Sequence, residues 1–191
     1  MDPAEDTERR VYHRLGFDAQ LDLKRLDDHL IQEPDKLRTQ INRDLRMLHW
    51  LQLDNQYRFV RDSAQRAKPA LAPLIRLVDA KLNFLAGELF SRHSAATPMQ
   101  SIEMSATGLA FDWPEQLPPG SLWLVTVDPD GTDAPLKVPA TVQRASGEGH
   151  SGSRSVAMEF FGLTEDETDA LASWIVARQA QELSRRREAE E

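Results

Sequence analysis

Apolar residues recur with more than one period along this chain. Near the start, Leu15, Phe17, Ala19 and Leu21 alternate with Gly16, Asp18 and Gln20. That period of two predicts a half-buried strand within the segment from Arg9 to Leu21. From about Leu23 to Ala95 the period lengthens. Leu37, Ile41, Leu45 and Leu48 recur every three or four residues behind Pro34, which predicts a helix over 37–51. Beyond Pro69 and Pro73 comes the strongest periodic signal. Leu71, Ile75, Val78, Leu82, Leu85 and Leu89 follow one another at spacings of 4, 3, 4, 3 and 4, an unbroken heptad row in a helix over about 70–92. Ala70, Leu77 and Phe84, helped by Leu74, form a second stripe on another face.

One row suits a simple zipper; two stripes predict a helix buried on more than one side, in a bundle or within a second helical layer. The simplest partner inside the chain is the 37–51 helix, folded back as an αα-hairpin over one face. Burying six large apolar side chains is worth roughly 9–18 kcal/mol gross, so these faces do not stay in water. One helix covers one stripe, and the second stripe therefore predicts self-association. Leu and β-branched residues mix at both heptad positions, which leaves the copy number open.

The second half changes character. Seven of the nine glycines lie from Gly108 onward and seven of the eleven prolines between Pro98 and Pro139, which marks short strands and turns. Strands are predicted at 99–104, 109–113, 121–127, 136–144 and 155–161. Pro118-Pro119-Gly120, Asp128-Pro129-Asp130-Gly131 and the loop over 147–153 separate them. Thr164 and Glu167 have the spacing of a capping box opening a last helix, whose apolar face carries Leu171, Trp174 and Ile175 and which continues to Arg178. Residues 185–191 read as a solvated tail. Short antiparallel strands at this spacing predict a small barrel.

Composition narrows the function. The 191 residues carry 23 Lys+Arg against 31 Asp+Glu, a net charge of -8, which argues against a broad DNA or RNA surface. No apolar run reaches the roughly 18 residues of a membrane span, and the acidic start is unlike a signal peptide. Cytoplasmic localisation is the expectation. Without cysteine there is no disulfide framework or thiolate zinc site. The five histidines lack metal-binding spacing, no phosphate-binding Gly-rich loop exists, and Ser105 is not in a nucleophile elbow. No catalytic constellation is visible, so no enzyme, metal or cofactor is expected.

Two local features carry candidate chemistry. The first is Glu8-Arg9-Arg10-Val11-Tyr12-His13-Arg14 at the start of a strand. Residues four apart on a strand share a side, so Arg10 and Arg14 can converge on one anion, and guanidinium forks onto phosphate or guanine and stacks on bases. The second is Glu103-Met104-Ser105-Ala106-Thr107-Gly108 between two strands. It offers a carboxylate, a hydroxyl and a glycine that admits close approach to the backbone. Alone, one is a charged terminus and the other a tight hairpin.

In this order they resemble the PilZ family, whose signature is Arg-x-x-x-Arg ahead of a barrel and then Asp/Asn-x-Ser-x-x-Gly between two strands. Arg10 to Arg14 match the first motif; Ser105 and Gly108 match the second, followed by Leu109-Ala110-Phe111. Residues 156–160, followed by Leu163-Thr164-Glu165, resemble the last strand leading into the closing helix. Glu103 stands where the family has Asp or Asn, and a long helical stretch separates the two motifs.

The resemblance implies an α+β fold: a small antiparallel PilZ-type β-barrel with a C-terminal helix, interrupted by a long helical coiled-coil insertion. The barrel would comprise 8–22 and 98–185, and the insertion 23–95. It also implies a non-enzymatic receptor for cyclic di-GMP, with Arg9, Arg10, Arg14, Glu103, Ser105 and Gly108 around the ligand. The interruption resembles the family's atypical tetrameric branch, in which a parallel coiled coil joins subunits and nucleotide binding is weak or absent. A homo-oligomer, with a tetramer as the expected state, would assemble through Leu71, Ile75, Val78, Leu82, Leu85 and Leu89. The alternative is an oligomeric scaffold whose degenerate site binds no nucleotide and which acts on a signalling protein partner.

Overall fold

The computed structural model describes residues 14–90, 98–129, 135–146 and 154–190, with the backbone alone at 83, 86–90, 146 and 181–190. The alternating segment near the start forms β1 (Leu15–Arg25), which continues four residues beyond the predicted end. The extension has a partner of its own. Residues 15–20 pair antiparallel with β2 (Met99–Ser105), whereas residues 20–25 pair antiparallel with β4 (Leu122–Asp128). One strand shared between two neighbours closes the sheet. With β3 (Gly108–Trp113), β5 (Leu136–Ser146) and β6 (Arg154–Phe160), the order around the closed antiparallel barrel is β1-β2-β3-β6-β5-β4. Inward rows such as Leu15, Phe17, Ala19 and Leu21 on β1, Ile102 and Met104 on β2, and Val156 and Met158 on β6 fill its core.

The stretch between β1 and β2 is helical, but its first helix is broken. α1 (Pro34–Ile41) stops short, and α2 (Arg46–Ala67) begins after a turn. Leu37, Ile41, Leu45, Leu48 and Leu51 are all buried, as one apolar row requires, yet they join the barrel's core cluster. The predicted helix over 37–51 therefore does not fold back over the heptad helix. Its apolar row finds a wider apolar surface on β5 and on the closing helix, α4 (Glu165–Glu190). Lys137 on β5 holds Asp44 at the break, Nζ to Oδ1 at 3.2 Å.

Past Leu51, α2 leaves this core and reverses at a 3-10 turn, Pro69–Leu71, into α3 (Ala72–Phe90). Leu71, first of the heptad row, lies in that turn. The two helices form a hairpin with a polar cluster between them: Arg61 Nη1 lies 3.7 Å from Asp79 Oδ2, and the Tyr57 hydroxyl hydrogen-bonds Asp79. That carboxylate raises the Tyr57 phenol above its usual range. Among the described residues no helix is long and apolar enough to cross a membrane.

A buried clamp fixes this insertion to the barrel. Thr164 and Glu167 form the predicted capping box: the Glu167 N–H donates to Thr164 Oγ1 at 3.2 Å, and the Thr164 N–H to Glu167 Oε2 at 2.8 Å. Arg38 of α1 forks onto the same carboxylate at 2.8 and 2.9 Å and donates to the Gly162 carbonyl at 2.9 Å. Gly162 has φ +69°, a left-handed conformation that favours glycine. The Glu167 side chain is 1% exposed. Burial pushes its carboxyl up, but the Arg38 hydrogen bonds, the Thr164 N–H and the Arg38 charge together hold it below its usual range. α4 continues to Glu190 rather than ending in the predicted tail from 185. Its Arg, Glu and Ala residues there are strong helix formers.

Candidate functional site

β2 and β3 are joined by a tight hairpin at Ser105-Ala106-Thr107-Gly108, with Ser105 opposite Gly108. The Ser105 hydroxyl serves its own turn. It accepts from the Thr107 N–H and donates to the Gly108 carbonyl, both at 3.3 Å. The Thr107 carbonyl accepts from the Phe160 N–H at 2.8 Å, which ties the hairpin to the end of β6. Gly108 has a packing role: a Cβ there would lie 2.3 Å from the Met158 carbonyl oxygen. The glycine of the sequence motif thus lets β6 approach β3.

The β1–β2 register brings Arg14, the last residue of the first motif, to the second. Leu15 lies opposite Met104, so one step earlier Arg14 stands beside Ser105. Arg14, nearly a hundred residues from Gly108 in sequence, therefore meets the hairpin at one end of the barrel. Arg9 and Arg10 lie outside the described residues. Outward positions alternate with the buried rows. Glu103 is exposed on β2 between Gly16 on β1 and Ala110 on β3, and Ala110 in turn faces Ala157 on β6. The Glu103 carboxylate thus stands over a floor of small residues. Gly108 is paired with Glu159, whose Oε2 accepts from Gln143 Nε2 at 2.8 Å.

Asp18 on β1 and Asp112 on β3 share this outer wall. The described wall of β1, β2, β3 and β6 around the hairpin thus presents Arg14 against Asp18, Glu103, Asp112 and Glu159. Sequence reading singled out Glu103 alone of these carboxylates. The others follow from strand parity once the register is known, because every second residue of β1, β3 and β6 faces outward. Among the described residues no group of His, Asp and Glu has the arrangement of a metal site.

The second candidate surface is α3. Leu71 and Val78 are each more than a third exposed and Leu85 more than half. Ile75 and Leu82 are half-buried; for Leu89 only the backbone is described. The second stripe is barer still, with Leu77 at 55% and Phe84 at 67%. α2 also leaves Leu53, Phe59 and Val60 exposed, which the sequence reading did not single out.

Comparison with known proteins adds three findings. A tetrameric PilZ-domain protein of Xanthomonas campestris, self-assembled through a helical bundle, is similar in fold over 95% of this chain and 95% of its own, at 18% identity and a TM-score of 0.55. An inhibitor of motility from Bacillus subtilis matches 44% of this chain and 43% of its own, at 18% identity and a TM-score of 0.35. No curated protein matches the chain. The PilZ domain profile matches residues 78–177, a span that runs from within α3 through β2 to β6 and the first half of α4. With more than half of its length matched by that profile, the chain belongs to the PilZ domain family.

Proposed function

We propose that this chain is a non-enzymatic signalling protein that receives cyclic di-GMP at the hairpin end of its barrel and assembles, as a tetramer, through α3. The observation that carries the receptor reading is the meeting of Arg14 with Ser105 and Gly108. Arg14 and the hairpin, separated by the whole helical insertion, lie at one edge of one barrel. Arg10 and Arg14, with Arg9, clamp the phosphates and stack on guanine; the Ser105 hydroxyl and the hairpin backbone complete the contact. Glu103 is matched to a guanine edge, whose N1–H and N2–H donate to a carboxylate. The ligand is dianionic, and the four carboxylates of this wall weaken its binding through like-charge repulsion.

Assembly through α3 is supported by its exposed apolar rows, and the similarity in fold to a tetrameric PilZ protein supports the copy number. The acidic wall favours a second reading: a scaffold that binds a protein partner and no nucleotide. Calorimetric titration with cyclic di-GMP separates the two. The receptor reading predicts saturable heat that disappears in the Arg10→Ala, Arg14→Ala double variant. Absence of heat in the parent at high protein concentration overturns it in favour of the scaffold.

A further inference from the structure

The α2–α3 hairpin buries only part of its apolar surface. Asp79 meets Tyr57 and Arg61 between the helices, beside half-buried Ile75 and Leu82, whereas Leu53 and Val60 of α2 are each 63% exposed. An αα-hairpin that ended its burial within one chain would cover such a row. We propose that Leu53 and Val60 belong to the self-association surface and that a second copy of this chain covers them, so that the interface is two helices wide. The inference rests on the reading that α3 joins copies.

Helical geometry places the two rows together. At 100° per residue, Leu53 and Val60 lie about 40–60° round α2 from Tyr57, and Val78 and Leu85 about 100–120° round α3 from Asp79, in the same rotational sense. Because the helices run antiparallel, both rows emerge on one side of the hairpin. They also share a period. Leu53, Tyr57, Val60, Ala64 and Ala67 follow at spacings of 4, 3, 4 and 3, as the heptad row of α3 does. The α2 row therefore widens the α3 row along the hairpin instead of forming a separate patch.

The occupant follows from this continuity: the α2 row adjoins the α3 row assigned to self-association, and the protein of similar fold is a tetramer self-assembled through a helical bundle. A second copy presents the same pair of rows, so adjacent copies of the proposed tetramer bury this surface against one another.

The test uses the full chain and its lack of cysteine. Sedimentation velocity compares the parent, Leu82→Lys on α3, and a Leu53→Lys, Val60→Lys double variant on α2. The inference expects both variants to sediment as smaller species than the parent with unchanged circular dichroism. A double variant that keeps the parental mass while Leu82→Lys dissociates overturns the α2 inference and leaves assembly through α3 standing. A monomeric parent overturns both. Alkylation of a single thiol, Val60→Cys, gives a second readout without a new charge. The inference expects it to react at least about tenfold more slowly in concentrated protein than after dilution below the assembly range; equal rates overturn it.

Discussion

Replacing Arg38 with Ala breaks the clamp between the helical insertion and the barrel at its more accessible partner. Arg38 is 32% exposed and Glu167 1%, so the substitution removes a guanidinium that water can partly replace and strands a carboxylate that water cannot reach. Glu167 keeps the Thr164 N–H at 2.8 Å, but the other basic side chain beside it, His49, has its Nε2 3.8 Å away. Breaking a buried ion pair from one side costs about 3–5 kcal/mol. Partial exposure of the arginine places this variant near the lower end, about 3 kcal/mol.

The pH dependence gives this prediction its sign. In the parent, Glu167 titrates below its ordinary value of 4.5, so its contribution is complete above that value and is lost as pH falls through the lower folded value. Without Arg38, burial dominates and the carboxyl moves up. Protonation then relieves the variant first, and its deficit narrows as pH falls toward 4. Urea unfolding followed by circular dichroism, at fixed protein concentration between pH 7 and pH 4, measures both. Adding Glu167→Gln to Arg38→Ala removes the stranded charge and recovers part of the loss. A deficit under about 1 kcal/mol at pH 7, or one that does not change with pH, refutes the reasoning.

Three further predictions concern single residues. Gly108→Ala places a methyl against the Met158 carbonyl and costs about 1–3 kcal/mol in urea unfolding; an unchanged midpoint would show that β6 yields freely. Gly162→Ala puts a side chain at a left-handed φ and costs about 1–2 kcal/mol, with loss of the Arg38 contact to its carbonyl as a shift in the same curve. Glu103→Asp draws the carboxylate back by one methylene and restores the family residue. It tightens cyclic di-GMP binding in a titration, whereas equal affinity would place the carboxylate outside the contact.

Much of this fold is legible in the sequence because its signals are local. Five strands of the second half follow from alternation between turn residues, and the Thr164–Glu167 capping box from residue spacing alone. What the sequence hides is which surface each apolar row meets. Leu37, Ile41, Leu45, Leu48 and Leu51 have the spacing to cover α3, but the barrel and α4 offer them a broader apolar surface, and α3 is left bare. The α2 row escapes notice for a related reason: Tyr57, Ala64 and Ala67 are weak heptad residues, and only the exposure of Leu53 and Val60 in the folded hairpin shows the pattern. At the candidate site, Arg14 and Ser105 are legible as motif residues. Glu159 and Asp112 are not, since their place on the same wall depends on a register that pairs β3 with β6.

Hydrogen–deuterium exchange of the full chain with and without cyclic di-GMP tests the receptor reading most directly, because it reports where as well as whether the ligand binds. Cyclic di-GMP bound at the hairpin end slows exchange only in peptides covering 8–16 and 101–110, with no such change in the Arg10→Ala, Arg14→Ala variant. Unchanged exchange at millimolar ligand, or protection appearing only elsewhere on the barrel, would contradict that reading.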